Sequence, residues 1–219
     1  MTRPQPDLRA YFVTGADDPF RLAQRARAAA LGGAGIIQLR SKPITPRQLF
    51  DLGLVVSRAL DGTRAALVID DAVDVALALR QRGARIDGVH VGQDDLPVEH
   101  VRALLGPDAI IGLTTGTHDL VERANNVAEY IDYIGCGPFR PTPTKNSGRT
   151  PIGLDGYAEL VALSRVPVVA IGDIHLDDVQ ALASTGVAGV AIVRGFMNSA
   201  DPTQYARTII TNFEKAGQS

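Results

Sequence analysis

Cysteine is almost missing from this chain: Cys136 is the only one in 219 residues. That excludes an internal disulfide framework and a zinc site built from several cysteines. Cys136 itself sits in an apolar run, where a small core-lining side chain is expected rather than a nucleophile. Excess charge of either sign is also missing. Lys and Arg number 22 against 24 for Asp and Glu, so no basic field argues for nucleic acid and no polybasic run for a membrane surface. Any phosphate-handling site must therefore be local. No apolar run approaches the roughly 18 residues of a membrane span. The opening Met1-Thr-Arg-Pro-Gln-Pro-Asp7 lacks the apolar stretch of a secretory leader, and the expected compartment is the cytoplasm. There is no Gly-x-Ser-x-Gly nucleophile turn. Nor is there a linker, a low-complexity tract or a charge block, so one domain over residues 1–219 is expected.

What remains is 45% hydrophobic and 21% charged, enough for a substantial core. Eight apolar, β-branched runs bounded by Gly, Asp or Thr recur, at residues 11–15, 35–40, 66–71, 88–92, 110–115, 131–137, 167–174 and 189–195. Helical patterns separate them, at residues 20–31, 46–59, 72–82, 97–104, 118–128, 154–163, 177–184 and 202–214. Eight strand-then-helix units predict an α/β fold, a single (β/α)8 TIM barrel. An open, doubly wound sheet is the alternative, since counting elements does not show closure. The runs are almost continuously apolar, as strands covered on both faces should be. Thr45-Pro46 and Asp201-Pro202 read as helix N-caps with proline in the first turn, and Gly32-Gly33 as a helix end.

Active sites of such barrels form at the C-terminal strand ends, and the polar residues there are not a random set. The second run ends in Gln38-Leu-Arg-Ser-Lys42, which places Gln38, Arg40 and Lys42 on one side and reads as an anion clamp or a structural ion pair. The third ends in Asp70-Asp71, and Gln93-Asp94-Asp95 follows the fourth. These acidic tips either pair with Arg40 and Lys42 or hold a hard cation such as Mg2+. His90 is a candidate acid or base, or a satisfied core residue. Thr114 and Thr115 end the fifth run.

The sixth run leads from Tyr130 through Gly135 and Gly137 into Pro138-Phe-Arg-Pro-Thr-Pro-Thr-Lys145. Its prolines stiffen a loop whose Thr142, Thr144 and Lys145 offer two hydroxyls and an ammonium to an oxyanion, although an ordinary surface turn has the same look. Gly172-Asp-Ile174 and Val193-Arg-Gly195 end the last two runs, where the fold usually binds phosphate. Two anion sites follow, one near Arg40 and Lys42 and one near Gly172 and Arg194, with the 142–145 loop between them.

Taken together, Gln38-Leu-Arg-Ser-Lys42, Asp70-Asp71, Gly88-Val-His-Val-Gly-Gln-Asp-Asp95, Ile111-Gly-Leu-Thr114, Gly137-Pro-Phe-Arg-Pro-Thr-Pro-Thr-Lys145 and Val168-Val-Ala-Ile-Gly172 resemble the thiamine phosphate synthase family, in order and over nearly the whole chain. The resemblance implies an enzyme, a transferase that joins a pyrimidine methyl diphosphate to a thiazole phosphate with Mg2+, releasing diphosphate. It implies that Gln38, Arg40, Lys42 and Lys145 hold the diphosphate substrate and that Asp71 and Asp95 hold the metal. Asp70 and Thr114 would lie at the pyrimidine. Thr142, Thr144, Gly172, Val193 and Arg194 would hold the thiazole phosphate. Arg40, Lys42, Lys145 and Thr114 would be the catalytic set. The partners implied are small molecules, with no nucleic acid or membrane and with self-association open.

Three positions depart from the family's pattern. Asp70 stands where asparagine is common, Asp173 where a second glycine is usual, and Arg194 where a small serine is usual. Asp173 and Arg194 either offset each other's charge or leave Arg194 to cap the thiazole phosphate directly. A thiazole tautomerase-like barrel and a non-catalytic phosphate-binding regulatory barrel are the alternative functions.

Overall fold

The computed structural model describes residues 5–141, 148 and 150–217. Its strands are β1 (Ala10–Val13), β2 (Ile36–Leu39), β3 (Ala66–Asp70), β4 (Gly88–Val91), β5 (Ile110–Thr115), β6 (Tyr133–Cys136), β7 (Val168–Ile171) and β8 (Gly189–Ile192). Each pairs in parallel with the next, and β8 returns to β1 through Phe12 opposite Ile192, so the sheet is a closed barrel. That closure excludes the open-sheet alternative. The helices are α1 (Pro19–Leu31), α2 (Pro46–Ala59), α3 (Val73–Gln81), α4 (Val98–Leu105), α5 (His118–Asn126), α6 (Gly153–Leu163), α7 (Val179–Ser184), α8 (Arg194–Asn198) and α9 (Pro202–Ala216). Among the described residues, no helix is long and apolar enough to cross a membrane.

The alternation of strand side chains divides the core in two. Phe12, Ile37, Leu67, Ile69, Val89, Ile111, Ile134 and Val190 face outward and pack under the helices. Tyr11, Val13, Ile36, Val68, Tyr133, Val169 and Ala191 face inward and fill the barrel. Cys136 is fully buried in the outer layer, as its surroundings in the sequence imply. The floor of the barrel is pinned by charge: Asp132, just before β6, accepts from the Ile111 amide at 2.7 Å and from Arg102 Nη2 at 2.8 Å.

Helix starts and stops follow local chemistry. Thr45 caps α2 in a reciprocal box with Gln48, and the Asp201 carboxylate accepts from the Gln204 amide at 3.0 Å to cap α9. After α1, Gly33 takes φ 104° while the Ala34 amide donates back to Ala29 O, closing the helix end.

The run at 189–195 does not continue as strand. Val193 (φ −96°, ψ −72°) turns the chain into the short helix α8, so Arg194 opens a helix instead of ending a strand. Gly195 permits this, because a Cβ there would lie 1.9 Å from the Tyr205 hydroxyl of α9. The segment before α7 is likewise not fully α-helical. Leu176–Asp178 form one 3-10 turn, stapled by the Asp178 carboxylate accepting from the His175 amide at 2.9 Å.

Candidate active site

Inward positions near the C-terminal strand ends carry a chain of polar side chains across the barrel. Tyr11 Oη donates to Gln38 Oε1 at 2.7 Å, and Gln38 Nε2 donates to Asp70 Oδ1. The Tyr11 and Tyr133 hydroxyls are 2.7 Å apart, Tyr133 Oη is 3.1 Å from His90 Nδ1, and His90 Nε2 is 2.9 Å from Thr114 Oγ1. Because the Tyr11 proton goes to Gln38, Tyr133 must donate to Tyr11 and His90 Nδ1–H to Tyr133. The relay runs one way, from His90 to the Asp70 carboxylate, with Thr114 Oγ1 at the other ring nitrogen. Burial, then the neighbouring Tyr133, lifts the Tyr11 phenol well above its ordinary value, so both tyrosines stay protonated donors. Gly112 makes the relay sterically possible, since a Cβ there would sit 2.2 Å from Tyr133 Cζ and 2.4 Å from His90 Nδ1.

Asp70 gathers the three residues of the β2 end. Besides Gln38, it has Arg40 Nε and Lys42 Nζ each at 3.5 Å from Oδ2. Neither makes a hydrogen bond, and Oδ2 is a buried acceptor without a hydrogen-bond partner among the described residues. Burial and then the charge of Asp71 push the Asp70 carboxyl up to about 6, against the pull of Lys42, Arg40 and Gln38. Asp71 has φ 60°, a left-handed conformation uncommon outside glycine, which turns its carboxylate to Lys42. Burial opposes the charge on Lys42, but the bond to Asp71 and the charges of Asp70 and Asp71 together raise its pKa.

Asp95 completes the cluster. Its Oδ2 accepts from the Gly92 amide at 2.6 Å, and it shares a hydrogen bond with Asp71. Burial raises the Asp95 pKa, and the adjacent Asp71 charge adds to the rise. Two carboxylates in hydrogen-bond contact need a proton between them or a cation beside them. The donor set at Asp71 and Asp95 therefore fits a hard, oxygen-seeking divalent ion. Among the described residues no group of three or more His, Cys, Asp or Glu side chains could hold a metal, so the remaining ligands of such an ion would be water or substrate oxygens.

The other side of the mouth is built by β7 and β8. Gly172 takes φ 112°, and a Cβ there would lie 2.6 Å from Pro138 Cα, so the loops after β6 and β7 touch backbone to backbone. Asp173 follows in the left-handed region at φ 57°. Its Oδ1 accepts from Arg194 Nη2 and lies 3.3 Å from His175 Nε2. Arg140 donates to the Asp173 carbonyl at 3.1 Å and pairs with Asp178, tying the start of the 140s loop to the segment before α7. One cavity spans both sides, with Gln38, Arg40, Asp70 and Thr114 on one wall and Gly172, Val193 and Arg194 on the other.

The sequence model described as thiamine monophosphate synthase matches residues 10–196. The chain belongs to the thiamine monophosphate synthase family. A thiamine-phosphate synthase of Corynebacterium efficiens is 62% identical over 99% of this chain and 100% of its own, and one of Corynebacterium jeikeium is 56% identical over 97% of both. Among solved structures, the thiamine phosphate pyrophosphorylase from Pyrococcus furiosus superposes with a TM-score of 0.81 at 30% identity, covering 97% of this chain and 98% of the other. Orotidine 5'-phosphate decarboxylase from Pyrococcus horikoshii shares only the barrel, with a TM-score of 0.66 at 14% identity.

Of the thiamine monophosphate synthase residues named from sequence, Gln38, Arg40, Lys42 and Asp70 converge, with Asp71 and Asp95 beside them and Thr114 joined through the relay. Gly172, Val193 and Arg194 stand across the same cavity. Thr142, Thr144 and Lys145 lie outside the described residues. Sequence reasoning missed Tyr11 and Tyr133, which read as apolar strand residues. The available signal was a hydroxyl-bearing aromatic at an inward position of a barrel strand. His175 and Arg140 were missed too, and nothing in their spacing marks them.

Proposed function

We propose that the chain is a thiamine phosphate synthase, joining 4-amino-2-methyl-5-(diphosphooxymethyl)pyrimidine to a 4-methyl-5-(phosphooxyethyl)thiazole, or its 2-carboxy form, with Mg2+. The observation that carries this is the Asp70 cluster: a buried, unbonded carboxylate oxygen flanked by Gln38, Arg40 and Lys42, one residue from paired acidic side chains. In this reading the Asp70 oxygen accepts from the pyrimidine amine, and Gln38, oriented by Tyr11, fixes the ring. Arg40 and Lys42, joined by Lys145, bind the diphosphate. Asp71 and Asp95 hold the magnesium, which supplies positive charge to the leaving diphosphate.

The bond from the pyrimidine methylene carbon to the diphosphate oxygen breaks with both electrons leaving on oxygen. The thiazole nitrogen then gives its lone pair to the methylene cation; with the 2-carboxy form, the carboxylate then leaves as carbon dioxide, and the electron pair left on C2 takes a proton. The protein's part is charge and placement: Arg40, Lys42 and Lys145 stabilise the departing anion, Thr114 borders the ring, and no covalent enzyme intermediate forms. Thr142 and Thr144, with the backbone of Gly172 and of Val193-Arg194, receive the thiazole phosphate. A tautomerase-like barrel would have no use for the Arg40–Lys42–Asp71–Asp95 set. As a biosynthetic enzyme, the protein is placed in the cytoplasm.

Purified protein given both substrates and magnesium should form thiamine phosphate, detected by mass; a folded protein that forms none ends this reading. Asp71→Ala and Asp95→Ala should each lower kcat/KM at least about a hundredfold with the melting temperature retained. Rates near wild type would remove the metal assignment.

A further inference from the structure

On the β7–β8 side of the mouth, an ion pair lies beside the backbone that the proposed function gives to the thiazole phosphate. Arg194 and Asp173 line the same cavity, and the guanidinium is bonded to the carboxylate. We propose that Asp173 is an internal counter-ion of Arg194, displaced when a phosphate monoester binds, so that this pair sets the affinity of the second anion subsite. The inference rests on the reading that puts the thiazole phosphate against Gly172 and Val193-Arg194.

Three observations support an exchangeable pair. The Arg194 side chain is 47% exposed, so a ligand in the cavity reaches the guanidinium without unpacking the core. Asp173 has a second neighbour besides Arg194, since His175 Nε2 lies 3.3 Å from the same oxygen. The Asp173 backbone is held independently by Arg140, which donates to its carbonyl at 3.1 Å. The carboxylate can thus give up Arg194 while its main chain stays fixed.

The charge arithmetic sets the direction. A phosphate dianion attracts the guanidinium more strongly than one carboxylate does, so it wins the exchange, but it must displace Asp173 and then sit beside its negative charge. Asp173 therefore weakens anion binding at this subsite.

The test is a double-mutant cycle read by calorimetric titration of inorganic phosphate into the metal-free full chain. The four proteins are wild type, Asp173→Asn, Arg194→Gln and the double variant. Asparagine tolerates the left-handed backbone at this position, and Asp173→Gly repeats the measurement should the first variant not fold. Asp173→Asn should bind phosphate roughly fivefold tighter, and Arg194→Gln severalfold weaker. In the Arg194→Gln background, removing Asp173 should change affinity less than about twofold, because no guanidinium remains to be released. Unchanged or weaker phosphate binding in folded Asp173→Asn overturns the proposal. So does an equal gain in the Arg194→Gln background, which would mean plain repulsion. Phosphate bound at Arg40 and Lys42 is common to all four proteins and cancels in the cycle. Lack of turnover in the wild type would end the proposed function, yet the phosphate cycle would still decide the role of Asp173.

Discussion

Asp70 is a carboxylate kept near the balance between its two charge states. Its folded pKa, pushed up to about 6 by burial and then Asp71, lies above the ordinary aspartate value of 3.8. The folded state therefore holds the proton more tightly, and stability present below about pH 4 is lost as pH rises through about 6. Integrated, the difference is on the order of 3 kcal/mol. In chelator, Asp70→Asn should flatten the stability curve between pH 4 and 6.5 and gain about 1–3 kcal/mol at pH 7. Denaturant melts at four pH values would show it, and a wild-type curve that rises over that window would refute it. Tyr133 is the second test at this scale. Tyr133→Phe removes the donor to Tyr11 and the acceptor for His90, both deep in the barrel, and should cost about 1–3 kcal/mol. No change in stability would mean that the relay is not a connected unit.

At the level of elements, the barrel depends on where side chains are absent as much as on where they are present. Gly112 in β5 leaves room for the Tyr133 ring and His90, so Gly112→Ala must displace one of them. A loss of about 1–3 kcal/mol is expected, with disproportionate loss of activity because the relay ends at Asp70. A melting temperature and turnover both within error of wild type would count against that packing.

The strand and helix order was legible because buried parallel strands and amphipathic helices differ in pattern, and caps such as Thr45 and Asp201 are local. The end of β8 was not. Val193 and Gly195 are as apolar and small as the strand before them, and only the packing of Gly195 under Tyr205 shows why the chain turns. The charged side chains at the ends of β2, β3 and β4 were legible for the opposite reason, since a charge in a buried strand needs a purpose. The polar tips of Tyr11 and Tyr133 were hidden by their aromatic bodies; the Asp173–Arg194 pair was legible from its place at adjacent strand ends, whereas the reach of Arg140 to the Asp173 carbonyl is set by tertiary contact alone.

For the whole molecule, closure of the barrel makes a synthase site from segments far apart in sequence. It brings the Gln38–Lys42 stretch against Asp70 and Asp71, sets Asp95 beside Asp71, and puts Gly172 and Arg194 across one cavity. The stretch from Tyr130 to Arg140 divides by depth: Asp132 braces the floor, Tyr133 joins the relay, and Arg140 reaches the β7 side of the mouth.

In the proposed function this rim couples diphosphate departure to capture by a second substrate, with a divalent cation at Asp71 and Asp95. Diphosphate release should be followed by coupled assay with the pyrimidine diphosphate alone, with both substrates, and with both substrates in chelator. Release should be fast only with both substrates and magnesium, matched one to one by thiamine phosphate. Equal release in chelator, or none in any arm from folded protein, would contradict the account.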